Sequence, residues 1–270
     1  MGALPVTFLS DYGLRDEFVG VCRGVILRIS PESQIIDITH GILPGAIGAG
    51  AFTLAGALPY TPPGVHLAVV DPTVGTQRRA LAVRVKQEDR VLVGPDNGLL
   101  TLAIEKFGGA VEAVEISSSP ARIQPVSPTF HGRDIFAPVA ASIAAGSPLS
   151  HHGPALDPTR LASLDVPPSL VKPGLIIAHA SAVDRFGNIR LDCPGSSLDE
   201  AGFKQGDTVE LSATGTTHPG VIGRTFADGY PGALVVYKGS NGTIAIADNR
   251  GSAAAILGVD AGVEIGIKSE

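Results

Sequence analysis

The chain has no tryptophan, one methionine, two cysteines and an aromatic content of only 5%. Two cysteines, Cys22 and Cys193, in unrelated segments cannot build a disulfide framework, so a cytoplasmic protein with reduced thiols is expected. No basic run occurs and the net charge is −6, which leaves no general attraction to nucleic acid or to an anionic membrane surface. No apolar stretch approaches the roughly 18 residues of a membrane-spanning helix, and no signal peptide is read before the first strand. No Gly-Lys-Ser/Thr follows a strand, which excludes a phosphate loop.

What is present is a chain of 270 residues with 44% hydrophobic and 17% charged residues, 34 glycines and 21 prolines. That composition suits a compact, turn-rich protein with one large domain or two modest ones. Its first half alternates two periodicities. PVTFLS (5–10), SQIIDIT (33–39), VHLAVV (65–70), RALAVRV (79–85), RVLVG (90–94) and VEAVEIS (111–117) read as strands. Between them, 16–30, 46–58 and 97–108 read as helices, and a last helix follows His131. This alternation predicts an α/β N-terminal domain with a mainly parallel sheet over residues 1–153. Residues 154–173 are proline-rich without a sustained period and read as a linker. From 174 to 270 come LIIAHASAV, NIRLDC, DTVELSA, ALVVYKG and GTIAIAD, separated by Gly, Asp and Asn turns, with a helix only around 197–201. They predict an all-β C-terminal domain, a barrel or a sandwich.

In an open α/β sheet, ligands collect at the carboxyl ends of the strands. Those ends carry Asp11 and Asp16 in SDYGLRDE, Asp71, Arg78 and Arg79 in DPTVGTQRR, and Asp96 and Asn97 in GPDNG. His131 opens the last helix in TFHGRDIFAP. Each has a plain structural role open to it: Asp11 as a turn or cap residue, Asp71-Pro72 as a turn opener, His131 as a histidine satisfied at a helix terminus. Their convergence on one rim raises the functional reading above the plain one. Two other patterns compete. GAIGAG (45–50) has glycines like a dinucleotide loop but in the wrong order, and Asp71 could serve as its ribose acid, which keeps a nicotinamide-dependent oxidoreductase open as an alternative. Close packing of that helix on the sheet at Gly48 and Ala51 is the simpler reading. His151 and His152 with Asp37 and His40 could bind a metal, yet their spacing matches no ligand pattern, so no metal is expected.

Taken in order, SDYG…DEFVG…RG, VVDPTVGTQRR, GPDNGLL, TFHGRDIFAP and DRFGNIRLD resemble the S-adenosylmethionine hydroxide adenosyltransferases, the adenosine-forming S-adenosylmethionine hydrolases related to fluorinating and chlorinating enzymes. The likeness runs from Ser10 to about Ala255. It implies an α/β domain joined to a β-barrel, and attack of water or hydroxide on C5′ of S-adenosyl-L-methionine to give adenosine and L-methionine, without a cofactor. The resemblance puts the catalytic Asp–Arg–His set on Asp71, Arg78 and His131. It puts the ribose on Asp11 and the methionine amine near Asp16; with His131 at the mouth of the sheet, Phe130 is expected against the substrate. Asp184 and Asn188 would meet the methionine and adenine ends, and Ser240 and Asn249 would complete the pocket. It further implies a homotrimer with the site between subunits. The halogenating relatives carry an extra loop where this chain reads VKQEDRVLVG, and other residues at Asp71 and His131, so the water-using branch is expected. A protein that binds S-adenosylmethionine or adenosine as a sensor, without turnover, is the competing class.

Overall fold

The computed structural model describes residues 2–230 and 232–270. The chain divides into two units, one up to Asp165 and one from Val166.

The first unit is built on six strands: β1 (Val6–Ser10), β2 (Ile35–Thr39), β3 (Val65–Val69), β4 (Ala80–Val85), β5 (Val91–Pro95) and β6 (Ala110–Glu115). They form one sheet in the order β2-β1-β3-β5-β4-β6. β1 is parallel to β2 and β3, and β3 to β5; β4 alone runs antiparallel to both of its neighbours. The sheet is therefore mainly parallel, as the strand–helix alternation predicts. Helices α1 (Phe18–Ile29) and α4 (Ala137–Ala144) cover one face, and α2 (Ile47–Ala57) and α3 (Thr101–Lys106) the other. With both faces covered, β1 and β3 are buried at every position, which is why VTFLS and VHLAV are apolar runs rather than alternating ones.

The register sets the site. Ser10 pairs with Val69, so Asp11 and Asp71 leave adjacent strands at the same edge of the sheet. β4 enters from that edge, which places Arg78 and Arg79 beside them. β4 and β5 are joined by a tight turn in which Glu88 and Asp89 have φ of 62° and 46°, the primed-turn geometry that matches strand twist. The GAIGAG stretch forms no dinucleotide loop: α2 begins at Ile47, so Gly48 and Gly50 lie inside the helix. The close packing expected at Gly48 falls at Gly50 instead. A Cβ there would come within 2.8 Å of Leu99 and 3.1 Å of Val70, whereas Gly48 has nothing near it. Residues 154–165 pack on this unit, with Pro154 O accepting from Glu115 N–H at 3.0 Å and Asp96 Oδ1 accepting from Ala162 N–H at 2.7 Å.

The second unit contains β7 (Leu170–Lys172), β8 (Leu175–Val183), β9 (Ile189–Pro194), β10 (Thr208–Ala213), β11 (Thr216–Ile222), β12 (Leu234–Lys238), β13 (Thr243–Asp248) and β14 (Glu264–Ser269). Seven of these close on themselves, because β14 pairs with β8 as well as with β10; β7 only flanks β8. This is the expected barrel. Its strands alternate inward and outward, as in TVELSA of β10, where every second residue is buried. The short helix α5 (Ser197–Glu200) stands where one was expected. A second, α6 (Ala253–Leu257), was not expected; Ser252 caps its start by accepting from Ala255 N–H, and Gly258 ends it in the left-handed conformation. Among the described residues, no helix is long and apolar enough to cross a membrane.

Candidate active site

Arg78 is the centre of the rim. Its Nε lies 3.0 Å from each carboxylate oxygen of Asp71, and Nη2 also contacts Oδ2. The same Nη2 is 2.9 Å from His131 Nδ1. One guanidinium thus bridges the carboxylate and the imidazole. The side chains of Arg78 and Asp71 are only 8% and 5% exposed, and the ring of Phe136 lies 5.1 Å from the guanidinium carbon.

A guanidinium only donates hydrogen bonds, so His131 Nδ1 must accept. The ring is therefore neutral, with its proton assigned to Nε2 by the network. Its electrostatics agree: burial, then the charge of Arg78, lower the pKa of His131 below the usual histidine value, against an opposing pull from Asp71 and Asp134.

The sequence around His131 explains its placement. Gly132–Phe136 forms a π turn ahead of α4. Pro138 has no N–H to offer the carbonyl of Asp134 and its ring would crowd that carbonyl in a regular helix. The Asp134 carbonyl accepts from Ile123 N–H instead, at 2.8 Å. The buried Asp134 carboxylate takes Ser127 N–H at 2.8 Å and pairs with Arg133 at 2.6 Å. Burial alone would raise the Asp134 pKa, but the bonds from Arg133 and Ser127 outweigh it and the net shift is downward. The residues that follow His131 therefore staple the loop at 123–127 to the turn that presents it.

Gly132 is a close approach. A Cβ there would lie 2.1 Å from the Tyr12 hydroxyl. The Tyr12 ring packs against Phe18 and Phe130, both at 5.9 Å between centroids, and burial, Cys22, Asp11 and Asp71 raise its pKa well above the usual phenol value. Sequence reasoning passed over Tyr12, although it lies inside SDYG; an aromatic between an acid and a glycine carries no signal of its own.

The other candidates separate into groups. Asp11 Oδ2 accepts from Gly45 N–H at 2.9 Å, and among the described residues its carboxylate takes no other bond. Asp16 is exposed on the segment between β1 and α1, and Phe130 is half-buried beside Tyr12. Arg79, Asp96 and Asn97 are used structurally. Arg79 pairs with Asp96 and donates to Arg160 O, and Asn97 bonds Val70 O and Leu99 N–H. His40 and His152 are not neighbours in a metal site: His152 bonds Ser119 at 3.0 Å, and no cluster of three potential ligands exists among the described residues.

In the second unit, Asp184 and Asn188 share the turn between β8 and β9. Asp184 accepts from Phe186 N–H, Asn188 N–H and Asn188 Nδ2 at 2.8–3.0 Å. Asn249 ends β13 at the same end of the barrel, since Ile246 pairs with Ile189, and it donates to Gly229 O at 2.7 Å. Ser240, exposed in the β12–β13 turn, stands at the other end of β13, roughly 20 Å away along the strand.

This chain matches the SAM hydroxide adenosyltransferase N-terminal domain over residues 6–153 and the C-terminal domain of the same family over 178–266. It is 46% identical over 259 residues, 95% of both chains, to an "(R)-S-adenosyl-L-methionine hydrolase" of Salinispora tropica. A protein of the same name from Thermus thermophilus is 37% identical, with 97% of this chain and 98% of the relative covered. A "Fluorinase" of Actinoplanes is 30% identical, with 96% of each covered. An uncharacterized conserved protein from Thermotoga maritima has a crystal structure that superposes with a TM-score of 0.91 at 36% identity, covering 97% of this chain and 99% of that one. Two domain matches in the expected order, and relatives aligned along nearly the whole length, make this chain a member of the SAM hydroxide adenosyltransferase family.

Proposed function

We propose that the protein hydrolyses S-adenosyl-L-methionine at C5′, giving adenosine and L-methionine. The observation that carries this reading is the Arg78 guanidinium bridging Asp71 and His131. A sulfonium leaves unaided, so the task is to hold an oxygen nucleophile in line with C5′ and sulfur, which can supply roughly 7–11 kcal/mol of the barrier. No metal or redox group is needed for that displacement. His131 turns Nε2–H, not a lone pair, away from Arg78, so it orients the oxygen as a donor. Asp71 accepts the proton of the attacking water. The C5′–O bond forms as the C5′–S bond breaks, the electron pair returns to sulfur as the thioether of methionine, and the surplus proton passes through Asp71 to solvent.

Around these catalytic groups, Asp11 binds the ribose hydroxyls, Asp16 lies near the methionine amine, and Phe130 stands against the substrate. From the second unit, Asp184 and Asn188 meet the methionine and adenine ends, with Asn249 at the same end of the barrel completing the pocket; Ser240, at the other end of β13, is left outside it. We place them in a cytoplasmic homotrimer, the α/β domain of one chain facing the barrel of the next. Apolar side chains left open on each unit support an assembly: Leu14 is 76% exposed, Phe186 62% and Tyr230 73%.

The test is to incubate purified protein with S-adenosylmethionine and chromatograph the products. Adenosine and methionine in equal amounts are expected. Recovery of unchanged ligand, bound but not turned over, would make the protein a sensor.

A further inference from the structure

Ser10, His40 and Asp37 form a Ser–His–Asp set that the mechanism above does not use. Ser10 is fully buried and His40 is 4% exposed. Ser10 Oγ lies 2.7 Å from His40 Nδ1, and His40 Nε2 lies 3.2 Å from Asp37 Oδ1, out of hydrogen-bond line. Asp37 is itself paired with Arg23. A hydrolytic triad needs a serine that substrate can reach, and Ser10 has no open face. The set must act on its surroundings instead.

Its hydrogen bonds have one direction. His40 Nε2 faces the Asp37 carboxylate, which assigns the ring proton to Nε2, so Nδ1 accepts from the Ser10 hydroxyl, while Tyr12 N–H donates to Ser10 Oγ at 3.3 Å. Burial, then the charge of Arg23, push the His40 pKa down to about 4, so the ring stays neutral at pH 7. The main chain of His40 adds a second hold, since its carbonyl accepts from Gly13 N–H at 2.8 Å. Asp11 N–H donates to Val69 O at 3.3 Å. Three successive amides, of Asp11, Tyr12 and Gly13, are thus fixed, two of them through His40. The edge-on ring of Phe8, 4.6 Å away between centroids, keeps the imidazole from turning.

We propose that His40 is a positioning residue: through Ser10 and its own carbonyl it fixes the backbone that aims the Asp11 carboxylate and sets Tyr12 over Gly132. This rests on the proposed function, in which Asp11 binds the ribose.

The test compares His40→Leu, His40→Asn and His40→Gln with the parent, reading kcat and KM for S-adenosylmethionine, adenosine affinity by calorimetry, and melting temperature. The asparagine amide can stand near the Nδ1 position and accept the Ser10 hydroxyl; the glutamine amide reaches toward Nε2 instead. His40→Leu is expected to raise both KM and the adenosine Kd about tenfold, with a smaller fall in kcat, the size expected for losing one hydrogen bond in the chain. His40→Asn should return both to within about threefold of the parent, and His40→Gln should not. A parent that turns over normally while His40→Leu keeps parental adenosine affinity overturns the positioning role alone. So does equal loss in all three variants in step with melting temperature. If His40→Leu does not fold, equal affinities for His40→Asn and His40→Gln overturn it. A parent with neither turnover nor adenosine binding overturns the proposed function and this inference together.

Discussion

Arg78 decides what His131 can be. With Nδ1 accepting from the guanidinium at 2.9 Å, the imidazole works only in its neutral form; a second ring proton would set two donors against each other. The pKa of His131 is lowered from 6.5 by burial and then by Arg78, so protonation occurs below that pH, and activity present at neutral pH is lost only as the pH falls through the lowered value. kcat/KM at pH 6.5 should therefore stay above half its plateau, the level an ordinary histidine would leave there. A pH–rate profile with its acid limb centred at 6.5 or above would show that the Arg78 contact does not govern the titration. Gly132 gives a second prediction at this scale. Gly132→Ala puts a methyl group 2.1 Å from the Tyr12 hydroxyl, so turnover should fall at least tenfold as His131 is displaced. Removing that hydroxyl in a Gly132→Ala, Tyr12→Phe double variant should recover part of the loss, whereas additive losses in steady-state assays would place the damage elsewhere. The rim that carries Asp71, Arg78 and His131 was legible in the sequence because each sits at a strand or helix end that the periodicity locates, and the family resemblance picked these three out of it. Tyr12 and the buried Ser10–His40–Asp37 set were not, because their roles depend on pairing across strands.

At the scale of elements, the sequence showed a helix after His131 but not the π turn that begins it. The turn arises from two causes that no hydrophobic period reports: a proline at 138 without an N–H, and a buried carboxylate four residues earlier that holds the preceding loop. Helix α6 escaped for a related reason. AAAIL is shorter than two turns, and only its Ser252 cap and Gly258 terminator mark it. The clamp on the π turn is testable. Asp134→Ala leaves Ser127 N–H without its partner and Arg133 without its carboxylate, a loss of about 1–3 kcal/mol for the unsatisfied amide. The melting temperature should fall by several degrees, and kcat should fall with it while adenosine binding is retained, because the ribose contact is assigned to Asp11. A variant with parental kcat would show that His131 is held without the clamp.

For the whole molecule, two signals carried the architecture: strand–helix alternation before the proline-rich stretch, and short strands with polar turns after it. Closure of seven strands into a barrel depends on the pairing of β14 with β8, a contact across 80 residues or more that local pattern cannot report. Assembly lies further from the sequence still. The proposed catalytic groups Asp71, Arg78 and His131 all lie in the first unit, and Asp184 and Asn188 in the second. In a closed head-to-tail trimer, each interface would join the first unit of one chain to the second unit of its neighbour. Asp71→Asn and Asn188→Ala should each be nearly inactive alone. In trimers refolded from an equal mixture, an interface is intact when the Asn188→Ala chain supplies the first unit and the Asp71→Asn chain the second. With random assembly that holds for about a quarter of interfaces, so about a quarter of parental activity should return. If native mass spectrometry shows mixed trimers and the activity stays at the level of the single variants, the pocket is completed within one chain.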